Sequence, residues 1–159
     1  MSQLLERLRD HWTGLSCVNR RPATLEEILA FEERCRVRLP PLVREYFATL
    51  NGTKEGESSM EDEDLISFWH LDQLQPLEDR PSVSPLHVSS FFLFADWSIN
   101  AHEWAVQLTA DRSGQNTVLI MYDPPQQVAA SFEEFVQRYL ARDKAVLFPE
   151  LAARRLPRR

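Results

Sequence analysis

Four histidines, two cysteines and 24 carboxylates are the side chains of this 159-residue chain with the chemistry for catalysis or metal binding. His11, His70, His87 and His102 are scattered, with no H-E-x-x-H and no C-x-x-C to hold zinc. His70 and Asp72 form the best local pair. On a strand from Leu65 to Leu71 they would share a face and could hold a metal only weakly. His102 and Glu103 would point to opposite faces of a strand and cannot act together there. A nucleophilic cysteine needs a nearby histidine and a depressed pKa. Cys35 instead lies on an apolar helical stripe, as a buried inert thiol would, and Cys17 falls in a loop. With four glycines, the chain has no G-x-S-x-G elbow, no P-loop and no G-x-G-x-x-G. The run Glu61-Asp62-Glu63-Asp64 lacks the glycine and glutamate spacing of a calcium loop. It also has no apolar residue to bury a carboxyl and shift its pKa. The expectation is a protein that is not an enzyme, with no catalytic residue, metal or cofactor. A small hydrolase or nucleotide-binding enzyme is the alternative, and it would show turnover lost on mutating His70 or Cys17.

What the carboxylates do supply is an uneven surface charge. The net charge is −6, yet Lys54 to Arg80 holds nine acids against two bases, and Arg138 to the end holds seven bases against two acids. Glu55, Glu57, Glu61, Asp62, Glu63 and Asp64 crowd a stretch, Thr53 to Asp64, with almost no apolar residue. It reads as a loop, either merely solvated or a surface for a partner. A nucleic-acid binder usually carries the opposite balance, so the excess suits a basic protein partner or plain solubility. Trp97, in a loop from Asp96 to Asn100 beside acids, is the type of residue that anchors an interface, with insertion into the core as the alternative. Trp69, beside His70 in a short strand, can face either way, whereas Trp12 and Trp104 fall on apolar faces of the core.

The elements that must position these residues follow from periodicity. Leu4, Leu5, Leu8 and Trp12 mark an amphipathic helix within Ser2 to Trp12. Thr24-Leu25-Glu26-Glu27 is a capping box opening a helix from Leu25 to Cys35, with Leu25, Ile28, Phe31 and Cys35 on its apolar face and Leu29 beside them. Leu39-Pro40-Pro41 breaks it, and Pro41 suits the first turn of the next helix, which buries Leu42, Tyr46 and Phe47 and closes at Asn51-Gly52. Strands are expected over Leu65–Leu71, Ser90–Phe94, Ala101–Leu108 and Thr117–Tyr122, the last two as a hairpin. Asp72 to Pro85, with three prolines, holds no long element. Ser131-Phe132-Glu133-Glu134 is a second capping box, opening a helix that buries Phe132, Phe135 and Tyr139. The order predicts a single α+β domain over 1–159, with a mixed, mostly antiparallel sheet, flanking N-terminal helices and a C-terminal helix. No apolar run approaches the ~20 residues of a membrane span. Glu6, Arg7, Arg9 and Asp10 occupy the place of a leader's apolar stretch, and two unpaired thiols fit a reducing compartment, so a cytoplasmic location is expected. Within the basic tail 141–159, the last six residues, Arg154 to Arg159, are expected to add little stability.

Thr24 to Gly52 has the form T-x-E-E-I-x-x-F-E-x-x-x-x-x-x-L-P-x-x-x-R-E-Y-F-x-x-L-N-G, with Glu33 in its first helix, Leu39-Pro40, Arg44-Glu45-Tyr46-Phe47 and Asn51-Gly52. Phe94-Ala95-Asp96, Trp104-Ala105-Val106 and Ser131-Phe132-Glu133-Glu134-Phe135 follow. This ordered set, over about Thr24 to Leu140, resembles the SUKH superfamily, which includes the yeast cell-wall-assembly regulator and many bacterial immunity proteins. The chain departs from the pattern in its long acidic segment and in Asp96-Trp97-Ser98, which stands where a glycine-containing turn is common. The resemblance implies a mixed sheet with flanking helices, no shared catalytic residues, and neutralisation of a cognate toxin by non-covalent contact. An acidic surface on such a protein would steer toward the positive cleft of a basic toxin such as a nuclease. The expected partner-binding residues are Glu55, Glu57, Glu61, Asp62, Glu63, Asp64, Trp69 and Trp97. Direct binding of nucleic acid or membrane is not expected. The alternative is a housekeeping interaction module of the same fold with no toxin partner.

Overall fold

Three helices precede the sheet in the chain: α1 (Gln3–Gly14), α2 (Leu25–Cys35) and α3 (Pro41–Thr49). The computed structural model describes residues 1–15, 21–53, 65–79, 90–98, 101–111 and 116–148. Helix α1 buries Leu5, Leu8 and Trp12. Helix α2 opens on both arms of its capping box: the Thr24 hydroxyl accepts from the Glu27 N–H at 3.2 Å, and the Glu27 carboxylate accepts from the Thr24 N–H at 2.7 Å. It ends where Arg36 turns left-handed at φ 55°. Its buried face is Ile28, Phe31 and Glu32, with Cys35 half-buried. Contrary to expectation, Leu25 and Leu29 are 63% and 46% exposed. Leu29 stands about 100° around the helix from Ile28 and so leaves the buried face, while Leu25 lies in the first turn. Pro41 does occupy the first position of α3. There Val43, Tyr46 and Phe47 are buried, while Leu42 only packs half-buried against the core.

The strands are β1 (Ile66–Phe68), β2 (Gln75–Pro76), β3 (Phe91–Trp97), β4 (His102–Gln107), β5 (Val118–Ile120) and β6 (Gln126–Ala129). They form one sheet in the order β1-β3-β4-β5-β6, with β2 also on β3. Every pairing among them is antiparallel. The strand expected from Leu65 to Leu71 is only three residues long: the chain leaves the ladder after Phe68 and enters a 3-10 turn at Leu71. The strand expected to stop at Phe94 runs on to Trp97, because Asp96 and Trp97 still pair with Ser67 and Ile66. Helices α4 (Phe132–Leu140) and α5 (Lys144–Leu147) complete the fold. At the start of α4 the Ser131 hydroxyl accepts from the Glu134 N–H as expected, but the Glu134 carboxylate reaches one residue further back, to the Ala130 N–H.

The helices and one face of the sheet enclose the main core, to which all five helices contribute. Phe92, Phe94, Trp104, Val106, Val118 and Ile120 supply its strand side. Two indole N–H groups lock its layers together: Trp12 donates to the Tyr139 hydroxyl at 3.1 Å and Trp104 to the Val146 carbonyl at 3.2 Å. Leu77, Phe91, Leu93 and Ala105 make a smaller cluster on the other face, with Trp69, Leu119 and Met121 packed against it. Among the described residues no helix is long and apolar enough to cross a membrane.

Candidate functional site

The end of the sheet formed by β1 and β3 gathers the described residues that the sequence marks for binding. Its geometry begins with a bulge in β3. Leu93 pairs with Ala105 and Ala95 with Trp104, so Phe94 is an extra residue. Phe94 and Ala95 both enter the main core. After them the alternation resumes with Asp96 on the second face and Trp97 back on the helical face. Trp97 is thus a strand residue and not the loop residue expected, and it is half-buried.

Trp97 stacks on His102, its cross-strand partner, with ring centroids 5.2 Å apart and planes 13° apart. His102 meets Tyr122 edge-on at 5.0 Å, and Trp97 meets Phe148 edge-on at 5.4 Å. All four rings are half-buried, so they make one contiguous aromatic corner with faces or edges in solvent. Exposed Leu65 adjoins it, its carbonyl accepting from the Ser98 N–H at 2.9 Å.

Trp69 belongs to the opposite face, where its indole N–H donates to the Asp96 carboxylate. Asp96 lies between Ser67 on β1 and Glu103 on β4, and all three are buried polar residues. The two tryptophans therefore flank the β1 edge from opposite sides. His102 and Glu103 point to opposite faces, as their alternation predicts.

Glu55, Glu57, Glu61, Asp62, Glu63 and Asp64 lie outside the described residues, as do Cys17, His87 and the tail from Glu150 to Arg159. The two residues that bracket the acidic segment are well placed, however. Thr53 donates its N–H to the Phe68 carbonyl at 3.0 Å, and its hydroxyl accepts from the Phe68 N–H at 3.2 Å. Leu65 is fastened to Ser98 as described. One end of the segment is thus tied to Phe68 of β1, and the other, just before β1, to Ser98 at the end of β3. The approach to Thr53 needs glycine before it: at Gly52, φ 85°, a Cβ would sit 2.6 Å from the Phe68 carbonyl oxygen. Asn51, at φ 57°, accepts from the Leu71 N–H and donates to the Arg21 carbonyl.

His70 and Asp72 do meet, through the Nδ1 of a buried imidazole at the head of the 3-10 turn. No group of three or more His, Cys, Asp or Glu side chains among the described residues is arranged to hold a metal ion.

Residues 22–138 match the model of the SMI1 / KNR4 family (SUKH-1). The chain belongs to the SUKH-1 family. No curated protein matches it. In this SUKH-1 chain the residues carrying the resemblance are framework positions, with one reassignment. Glu33 is exposed, and it is Glu32 that turns inward. The Glu32 carboxylate accepts from the Leu39 N–H at 2.9 Å, from Arg44 at 2.8 Å and from Arg38 at 3.2 Å, which fixes the Leu39-Pro40 corner between α2 and α3. Burial alone would raise its pKa, but these three donors outweigh burial and hold it below the usual carboxylate range. Glu45 accepts from the Ser2 N–H at 2.6 Å and so ties the start of α1 to α3.

Proposed function

We propose that this SUKH-1 domain is an immunity-type binding protein that neutralises a cognate basic toxin domain by direct contact, without catalysis, in the cytoplasm. Glu55, Glu57, Glu61, Asp62, Glu63 and Asp64 steer the partner, and the Trp97 corner anchors it. The family membership supports a protein-interaction role in general. The specific reading is carried by the fastening of the two brackets of the acidic segment: Thr53 is tied to Phe68 of β1, and Leu65 to Ser98, next to half-exposed Trp97. Opposite charge raises the rate of encounter, whereas an aromatic anchor slows escape. Arginine or lysine side chains of a basic partner gain further by lying on indole and phenol rings. Trp69, around the β1 edge, contributes to a partner that wraps the strand.

Capture of the tagged chain in its native cells, with mass spectrometry of what stays bound, supplies the partner. Stopped flow then compares the wild type with the quadruple variant Glu61→Gln, Asp62→Asn, Glu63→Gln, Asp64→Asn. The variant should associate more slowly at low ionic strength, and the gap should close toward about 0.5 M salt, where screening acts over roughly 4 Å. Trp97→Ala should mainly speed dissociation. Equal association rates at every salt concentration would remove the acidic segment from the interface, and an unchanged dissociation rate would remove the corner.

A further inference from the structure

A cleft of about 380 Å³ lies between α2 and the 3-10 turn Leu71–Gln73. It shares no residue with the proposed partner surface. Glu27, Ala30, Phe31 and Arg34 face it from α2 at the i, i+3, i+4 and i+7 spacing of one helical face, with Leu71 and Asp72 opposite. Ala30 leaves the space, having only a methyl group between larger neighbours. The walls are held in place from within the fold: Asn51 bonds both the Arg21 carbonyl and the Leu71 N–H, so the two sides cannot drift apart independently.

The charges of the lining are unequally matched. Glu27 is taken by Arg21 at 2.6 Å and by the Thr24 N–H of the capping box. Asp72 is hydrogen-bonded to the His70 ring and attracted by the Arg21 guanidinium. Arg34 has no carboxylate within ion-pair distance among the described residues, and its guanidinium lies over the Phe31 ring, 5.7 Å from the centroid. A guanidinium packed this way keeps its planar fork available for a carboxylate while its stem stays on the ring. Ala23, Phe31 and Leu71 provide an apolar floor. The volume is within the range of small-molecule sites, and an apolar floor beside Arg34, whose guanidinium makes no ion pair among the described residues, suits an apolar anion.

We infer that this cleft is a binding site for a small carboxylic acid with a ring-sized apolar body, its carboxylate on Arg34 and its body between Phe31 and Leu71. The test is a titration of the ¹⁵N-labelled full chain with 3-phenylpropionate, and in parallel with the neutral 3-phenylpropanamide and the cationic 3-phenylpropylamine. The acid should shift the backbone amides of Ala30, Phe31, Arg34 and Leu71 saturably, and the neutral amide should bind at least tenfold more weakly. Arg34→Gln should weaken the acid at least tenfold. Ala30→Leu, at an exposed helical position that tolerates leucine, should abolish binding while leaving the rest of the spectrum in place. Equal affinity for acid and amide, tighter binding of the amine, unchanged binding by Ala30→Leu, or no saturable shift with any of the three would each overturn the assignment.

Discussion

Replacing Glu32 tests the corner on which α2 and α3 meet. Its side chain is wholly excluded from solvent, whereas its partners Arg44 and Arg38 are 27% and 53% exposed. Glu32→Ala strands the Leu39 N–H, at about 1–3 kcal/mol for a buried donor left unpaired. It also removes a charge-assisted bond to part-buried Arg44, about 1.5–3 kcal/mol, while the exposed Arg38 contact adds at most about 1 kcal/mol after screening. Recovering the desolvation cost of the carboxylate offsets part of that sum, which leaves about 2–5 kcal/mol. For a chain of this size the melting temperature should fall by roughly 4–20 °C. Glu32→Gln keeps a carbonyl oxygen for the Leu39 N–H and should cost about 1–3 kcal/mol less than Glu32→Ala. The acid dependence follows from the depressed pKa of the folded carboxyl. Its contribution is fully present above the unfolded value, about 4.3, and is lost as pH falls through the folded value. Urea unfolding followed by far-UV circular dichroism at pH 7 and between pH 5 and 3 measures both effects. The gap between wild type and Glu32→Gln should narrow as the solution is acidified. A loss under about 1 kcal/mol for Glu32→Ala at pH 7, or a gap to Glu32→Gln that does not change with pH, would refute the corner as the seat of this energy.

Gly52→Ala should cost more than about 2 kcal/mol, since the added methyl meets the Phe68 carbonyl at 2.6 Å on a backbone at positive φ. Denaturant unfolding checks it, and a neutral result would mean that β1 can slide away from Asn51-Gly52. Phe135→Ala removes a ring with 0% exposure that touches Phe68, Phe94 and Trp104, and it should cost about 3–5 kcal/mol in the same assay.

Local signals in the sequence were read where one residue type has one structural use. Thr24 with Glu27 set the start of α2, Pro41 the start of α3, and the alternation from His102 to Gln107 the two faces of β4. What escaped depended on partners far along the chain. Helical spacing puts Glu32, four residues after Ile28, on the buried face of α2, but the groups that satisfy it there, the Leu39 N–H and Arg44, lie seven and twelve residues away and follow no spacing rule. Strand β6 and helix α5 are short, and each is held by the elements beside it; the four residues of α5 cannot show a helical period. At the candidate site, Trp97 was singled out as an aromatic beside acids, but its loop assignment failed because the bulge interrupts the period-two signal just before it. The partners His102, Tyr122 and Phe148 come from three separate segments, and no spacing rule links them to Trp97.

The bulge also makes β3 a strand with two phases. Upstream of Phe94 the odd-numbered residues turn away from the helices, and downstream of it they turn toward them. Deleting one of the pair Phe94 and Ala95 would remove the bulge and leave Asp96 and Trp97 opposite Glu103 and His102, on the faces they hold now. Adding one residue between Ala95 and Asp96, with no second bulge to absorb it, would instead exchange their environments, setting a carboxylate among rings and the indole on the far side. At this point β3 can lose a residue without changing what the corner presents, but it cannot gain one.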